Sequence, residues 1–506
     1  MIWLTVALAA TLLLSPLFDR LVQPTLRWRD RPGAAWAIQL GLVGLAFGLL
    51  LMLTQRPGFA ASLTLASQLL LGLVNNAKFK ALREPFVFSD FGLFSQALTH
   101  PRLYLPFLGL VPAIAGVLAF IVALYLGLVL EASLVDQMGL ASFAAAVGSV
   151  MMLAITAVTV GSWIAPPPSL SAYNDLQHFG LLPSLWLYRL AEDRHDPGNP
   201  SHPARQRPGL RVAQHPEKRL PHLLVVQSES FFDVRRLYPQ IRPEILGHFD
   251  AACRSAAAHG PLRVPAWGAN TMRTEFAFLS GLDDELLGVH RFNPFRRFAH
   301  HPWQTLATAL RDAGYHTVCL HPHPASFFSR DRVYPQLGFD SFLDIRAFPG
   351  AERVGPYISD AAVTAKVRDV LAAAERPTLL FAITMENHGP LHLEKVAADD
   401  IERLYRTPPP SGFDDLSVYL LHLANADHML GELVTLCERN DRETVLCFYG
   451  DHVPSMPQVY AAQDFHDGRS DYLIWRRGSA AGRAEDLAAD QLGRRLLQVA
   501  GLLDTD

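Results

Sequence analysis

Between residues 3 and 165 the chain passes through five long stretches almost free of charge, at 3–18, 34–53, 58–75, 103–130 and 138–165. A helix rising ~1.5 Å per residue needs roughly 20 such residues to cross a bilayer. In lipid the backbone must satisfy its own polar groups, and for runs this long that means helices. The first run is short enough for a signal peptide. It has no basic leader or small-residue cleavage site, and more spans follow, so it is read as a retained anchor. Residues 1–168 are therefore expected to form an N-terminal α-helical transmembrane bundle of about five spans.

Overall the chain is 50% hydrophobic and 18% charged with a net charge of -4, averages that hide a sharp division. The segment 174–191, "NDLQHFGLLPSLWLYRLA", is apolar on one side at helical spacing. It suits a helix lying on the membrane surface or one packed against a soluble domain. Residues 193–219 are rich in Pro, His and Arg and read as a linker, so 169–220 is taken as a juxtamembrane helix and linker. From 221 to 506 short apolar runs alternate with helical patterns, which indicates a mostly parallel sheet between helices. Strands are expected at 222–227, 316–320, 378–384 and 444–449, and helices at 243–258, 302–313, 360–375 and 416–439. Neither Gly-x-Gly-x-x-Gly nor a Walker loop is present, and no basic patch interleaved with aromatics suggests nucleic acid. Cys319 and Cys447 fall inside strand-like runs and read as small buried hydrophobes.

Open α/β sheets bind ligands beyond the carboxyl ends of their strands. Here the four expected strands deliver, in turn, Glu229; His321, His323 and Arg330; Glu386 and His388; and Asp451 and His452. Any one of these could be a turn or cap residue. All four strands ending in acid, imidazole or guanidinium points to a metal-dependent site. Glu229, Asp451 and His452 are the donor types that suit zinc, manganese or magnesium. The fourth ligand would be an oxygen able to become an alkoxide. Thr271 in "WGANTMRTEF" stands at the start of a helix, where a metal and the helix N-terminus would both favour that anion. Capping alone explains it poorly, because the acid of a capping box belongs three residues on and Glu275 lies four on.

In this combination the motifs resemble the lipoteichoic acid synthase and phosphoglycerol transferase family, membrane-anchored members of the sulfatase and alkaline phosphatase superfamily. The resemblance rests on Glu229-Ser230, Thr271 with Glu275-Phe276, "HPHPASFFSRDRVYPQLGFDSF" (321–342), "ENHGP" (386–390), "YGDH" (449–452) and the loop "NAKFKALREPFVFSDF" (76–91). It implies a sulfatase-like catalytic domain in 221–506. Glu229, Thr271, Asp451 and His452 would hold one divalent metal, manganese first, with zinc or magnesium as alternatives. Thr271 would be the nucleophile. His321, Phe328, Arg330 and His388 would contact the substrate, Phe328 standing where the family commonly has tryptophan. Threonine cannot become formylglycine, which argues against sulfate ester hydrolysis.

The implied reaction moves phosphoglycerol from an anionic phospholipid donor, phosphatidylglycerol, through a phosphothreonine to a glycan or polyol-phosphate acceptor. The positive-inside rule would put Arg20, Arg27, Arg29, Arg31, Lys78, Lys80 and Arg83 in the cytoplasm, and with five spans the catalytic domain also. The resemblance implies the opposite: a multi-pass protein of the bacterial inner (cell) membrane with its catalytic domain outside the cytoplasm. The loop cations would then pair with anionic headgroups. Alternatives are a phosphoethanolamine transferase or a phosphodiester hydrolase of the same superfamily, or a non-catalytic membrane sensor binding glycerol phosphate.

Overall fold

The computed structural model describes residues 1–93, 127–199, 201–206, 210, 212 and 219–503, together with Leu118, Ile121, Val122, Leu124 and Tyr125. The chain divides into two compact units, Met1–Arg194 and His195–Asp506.

In the first unit, four helices among the described residues are long and apolar enough to cross a membrane. They are α1 (Ile2–Phe18), α2 (Gly33–Thr54), α3 (Pro57–Leu82) and α4 (Leu140–Ile164). These match the expected first, second, third and fifth spans; the fourth, 103–130, lies mostly outside the described residues. Small residues let α2 and α4 approach closely, as is usual in membranes. A Cβ added at Gly41 would lie 2.8 Å from the carbonyl of Ala154, and one at Gly161 would lie 3.0 Å from that of Ala34. Leu13, Leu53, Leu70 and Leu153 stay exposed on outward faces.

Several polar side chains inside this unit are paired. Arg31 donates to Asp19 at 3.2 Å and to Gln39 at 2.7 Å, and Gln39 donates to Ser15 at 3.2 Å. The juxtamembrane segment forms α5 (Ala172–Phe179) and α6 (Leu181–Arg194), which pack within this same unit. Leu176, Leu181 and Leu185 cluster with Val22 and Phe86, and Phe179 and Leu187 with Ala35 and Ile38. The Trp186 indole N–H donates to Ser162 at 2.8 Å. One end of the bundle therefore gathers the end of α1, the start of α2, the end of α3 and the end of α4. At the start of α3, Glu131 accepts from the backbone N–H of Gly58 and Phe59 at 2.9 and 2.8 Å.

The second unit is built on an eight-stranded sheet: β1 (His222–Ser228), β2 (Ala258–Arg263), β3 (His316–Leu320), β4 (Ser341–Leu343), β5 (Thr378–Ile383), β6 (Thr444–Gly450), β7 (Ser470–Arg476) and β8 (Leu487–Ala488). The spatial order is β8-β2-β7-β6-β1-β5-β3-β4. All pairings are parallel except those of β7 with β6 and with β2. Strand residues alternate between two cores, one on each face. Leu224, Val226, Leu380 and Phe448 pack on one side, and Leu223, Val225, Phe381 and Cys447 on the other. Burial on both faces explains why the central strands read as continuous apolar runs. Cys319 and Cys447 are buried and unpaired.

The four expected strands are the central ones. The expected helix 243–258 begins as a short 3-10 turn at Pro243–Leu246, continues as Gly247–Ser255, and stops before β2 takes up Ala258. The other expected helices appear at Leu306–Asp312, Asp360–Ala372 and Asp414–Arg439.

Candidate active site

β1 and β6 are parallel neighbours in the register Ser228↔Gly450, so the residues that follow them leave the sheet side by side. Glu229, Asp451 and His452 each offer a ligand atom, and these atoms all lie within 4.8 Å of one another. The Nε2 of His452 is 3.3 Å from Asp451 Oδ2 and 3.6 Å from Glu229 Oε1. This convergence depends on local backbone. A Cβ at Gly450 would stand 1.8 Å from the carbonyl oxygen of Phe231, so only glycine fits there. Ser230 is held in the left-handed region at φ 55, an uncommon conformation for serine. Its amide donates to Asp451 at 2.8 Å and its hydroxyl to Glu229 at 3.0 Å, while Tyr419 fixes its carbonyl at 2.8 Å.

The three residues fit a divalent cation. Asp451 Oδ2 is buried with no hydrogen-bond donor. Burial, and next the charge of Asp451, push the Glu229 carboxyl up to about 8. Two carboxylates shut away together are costly without a positive charge between them, and a two-oxygen, one-nitrogen set is a common one for such an ion.

Thr271 is the first residue of α7 (Thr271–Ser280), and the cap position before it is filled by Asn270 at φ 69. Thr271 therefore does not cap this helix. One turn on, the Thr274 hydroxyl donates to the carbonyl of Asp451 at 2.7 Å, and before the helix the Gly268 amide donates to the carbonyl of Val453 at 2.9 Å. These two bonds tie the start of α7, and with it Thr271, to the turn that carries Asp451 and His452.

Arg330 opens α8 (Arg330–Gln336), and its guanidinium forms a buried ion pair with Glu275 of α7. Its Nε donates to Glu275 Oε2 at 3.2 Å, and the Tyr334 hydroxyl donates to the same oxygen at 2.6 Å. Burial works against the charge of Arg330, but Glu275 outweighs it and leaves the pKa above the ordinary value. Arg330 Nη1 keeps no partner among the described residues. Phe328 and Ser329 both lie in the left-handed region, at φ 53 and 54, and the Phe328 ring sits 5.2 Å from Arg330 Cζ. Strain of this kind concentrates at functional sites.

His321 approaches the carbonyl of Ile383 with Nδ1 at 3.2 Å, and His388 that of Gly389 with Nδ1 at 2.7 Å. A carbonyl only accepts, so in both rings the proton sits on Nδ1 and Nε2 presents a lone pair. Burial, and next the charge of Arg330, lowers the His321 pKa well below its ordinary value. Burial is also the first cause of the lowered pKa of His388. His321 Nε2 is buried without a partner. His323 packs edge-on against Phe327 at 4.9 Å.

Sequence reasoning gave no role to several residues here. Glu275 lies on the same face of α7 as Thr271, four residues on. Tyr334 stands four beyond Arg330, the spacing that lets two side chains share one partner. Glu386 is buried and accepts from the Asp360 amide at 2.6 Å and the Asn425 amide at 2.6 Å, with His422 Nδ1 at 3.3 Å. It thereby fixes the loop before His388. Asn425 and His422 come from the long helix at Asp414–Arg439, a pairing that no local spacing foretells.

The second unit matches a known family. Residues 221–502 match the sulfatase family, a span that holds the whole sheet and every residue of the site. The capsular polysaccharide biosynthesis protein RkpI of Rhizobium meliloti is 28% identical over 92% of this chain and 86% of its own length. A putative cyclic beta-1,2-glucan modification protein from the same organism is 29% identical over 49% of this chain and 38% of its own. Among solved structures, the phosphoglycerol transferase GacH of Streptococcus pyogenes aligns with a TM-score of 0.46 at 22% identity, over 55% of this chain and 74% of that one. By the match through its second unit, the chain belongs to the sulfatase family.

Proposed function

We propose that the protein is a membrane-bound, metal-dependent phosphotransferase that moves phosphoglycerol from phosphatidylglycerol to a hydroxyl of a glycan or polymer. The observation that carries this reading is the buried triad of Glu229, Asp451 and His452, with the turn carrying Thr271 tied to Asp451 through Thr274. A divalent cation held by the triad and Thr271, manganese first, would lower the pKa of the threonine hydroxyl and offset charge on the phosphoryl oxygens. The names of the two Rhizobium relatives, both concerned with polysaccharide or glucan, favour a glycan as acceptor. A donor embedded in the bilayer accounts for the apolar helices, and an envelope glycan acceptor would be met by a catalytic unit outside the cytoplasm.

In the first half-reaction Thr271 loses its hydroxyl proton and its oxygen attacks the donor phosphorus. The bond to the diacylglycerol oxygen breaks, and that oxygen takes up a proton. Glycerol phosphate is left esterified to Thr271. In the second half an acceptor hydroxyl attacks the same phosphorus, the bond to Thr271 breaks, and the threonine hydroxyl is restored. Arg330, braced on Glu275, directs its remaining N–H donors at the phosphoryl oxygens. The His388 Nε2 lone pair is suited to receive the acceptor's proton. His321 Nε2, an acceptor, is matched to a glycerol hydroxyl.

The test is intact mass analysis of the full-length protein after incubation with phosphatidylglycerol and manganese. A glycerol-phosphate adduct on residue 271, absent from Thr271→Ala, is the expected result. An adduct formed only from phosphatidylethanolamine would replace the donor, and no adduct from either lipid would defeat the mechanism.

A further inference from the structure

At the end of the membrane unit where α2 begins and α4 finishes lies a cavity of about 330 Å³, whose lining includes Arg27, Asp30, Ser169, Asn174, Gln177 and His178. The Arg27 amide donates to the Gln177 carbonyl at 2.8 Å, which joins the loop before α2 to α5. Gln177 is 9% exposed, and its side-chain oxygen has no hydrogen-bond partner among the described residues. Of the neighbouring charges, Asp30 in the lining makes no ion pair among the described residues, while others are already committed. Arg31 is paired with Asp19, and Lys78 with Glu84 and Asp90. The Asp175 carboxylate, also in the lining, accepts from the amides of Ser169 and Leu170 and from Tyr188. Arg27 makes no ion pair among the described residues.

We propose that this cavity binds the headgroup of an anionic glycerophospholipid, at a site separate from the triad. Arg27 takes the phosphodiester as a charge-assisted donor. The buried Gln177 oxygen takes a hydrogen bond from a headgroup hydroxyl, and this selects a polyol over a quaternary amine. The acyl chains run down the apolar helices, where Trp163 and Ile164 at the end of α4 remain exposed at 87% and 55%. The volume falls at the small end of ligand pockets, as a headgroup whose chains stay outside requires.

The experiment is native mass spectrometry on full-length protein in neutral detergent, with Thr271→Ala in every arm to prevent turnover. Phosphatidylglycerol, phosphatidylcholine and inorganic phosphate are titrated separately. Phosphatidylglycerol should be retained preferentially, and Arg27→Ala should weaken the affected site by about tenfold. Arg27→Lys should recover most of the binding, and Arg29→Ala, outside the lining, should change nothing. Lipid held at the triad depends on Arg330 and not on Arg27, so Arg330→Ala separates the two sites. The proposal does not rest on the transfer reaction, which the adduct at residue 271 tests independently. Equal retention by Arg27→Ala and its parent would overturn it. So would equal retention of phosphatidylcholine, or full displacement of the Arg27-dependent lipid by inorganic phosphate. A lowered melting temperature in Arg27→Ala with normal retention in Gln177→Leu would also count against it.

Discussion

Replacing Glu275 with glutamine tests the idea that Arg330 acts on the substrate only because Glu275 holds it. Glu275 is fully buried and Arg330 is 1% exposed, so neither charge has water to turn to. Glu275 accepts from Arg330 Nε, Arg330 Nη2 and the Tyr334 hydroxyl. Glutamine keeps the shape and one oxygen but leaves a buried guanidinium uncompensated. Removing one partner of a buried pair costs ~3–5 kcal/mol, and the retained oxygen puts this case near ~3 kcal/mol. At roughly 2–4 °C per kcal/mol for a sizeable domain, the melting temperature should fall by about 6–12 °C. Adduct formation at Thr271 should slow about a hundredfold, equivalent to ~2.7 kcal/mol of transition-state stabilisation. The double variant Glu275→Leu/Arg330→Met separates the two effects. Replacing both charges with apolar groups should return most of the stability, less ~1–3 kcal/mol for the stranded Tyr334 hydroxyl, while adduct formation stays lost. Thermal melts and single-turnover labelling measure these quantities on the same preparations. The reasoning fails if Glu275→Gln melts like the parent, or if the double variant labels Thr271 at the parent rate.

Three further outcomes follow from the same geometry. Chelator-treated protein should gain stability when manganese is restored, by ~2.7 kcal/mol at a hundredfold excess over Kd. Asp451→Asn should lose most of that gain in a thermal melt. Gly450→Ala should cost more than ~3 kcal/mol, because its Cβ would lie 1.8 Å from a backbone oxygen that cannot give way without moving the start of the site; yield and denaturant midpoint report this. His222 Nδ1 accepts from the Thr378 amide at 3.1 Å, and burial lowers its pKa from 6.5 to about 4. The folded-state pKa lies below the unfolded one, so the stability supplied by the neutral ring is full above about 6.5 and is lost as pH falls toward about 4. Across that window the denaturant midpoint should decline less steeply in His222→Gln than in the parent.

The parts of the fold that sequence revealed are those in which burial imposes a pattern along the chain. The bilayer demands long apolar runs, and four of the five expected spans appear as helices. Central strands covered on both faces read as unbroken apolar runs, and β1, β3, β5 and β6 could be placed almost to the residue. β2 could not, because "AHGPLR" carries Gly260 and Pro261, residues that argue against a strand interior. Nor could the antiparallel setting of β7, since orientation is fixed by partners and not by composition. In the site, the triad was legible because the parallel register of β1 and β6 brings the ends of two neighbouring strands together. The support for the site was not, because it depends on helices distant in sequence. Arg330 could be placed at this edge of the sheet from sequence, but its buried pairing with Glu275 comes from α7 and α8 meeting in space.

One feature of the folded chain bears on whether these residues were arranged for a ligand or merely for stability. More than nine in ten buried polar groups in native proteins find a partner. Here Asp451 Oδ2, Arg330 Nη1, His321 Nε2, Asp360 Oδ1 and both amide atoms of Asn387 are buried without one. A stabilising network would have saturated them, as Asp175 is saturated in the membrane unit. All of these unsatisfied atoms belong to segments that follow β3, β5 and β6 or pack against them. They also alternate in character, with carboxylate oxygens, a guanidinium N–H and imidazole lone pairs set close enough to perturb one another's pKa values. Single buried atoms are also left without a partner elsewhere, Gln68 Oε1 and Tyr315 Oη among them, but at this edge acid, guanidinium and imidazole atoms are gathered together, as the proposed ligand requires. On the proposed function each kind would find its partner: the cation would take the carboxylate oxygens, the phosphate the guanidinium N–H, and a hydroxyl would donate to the imidazole.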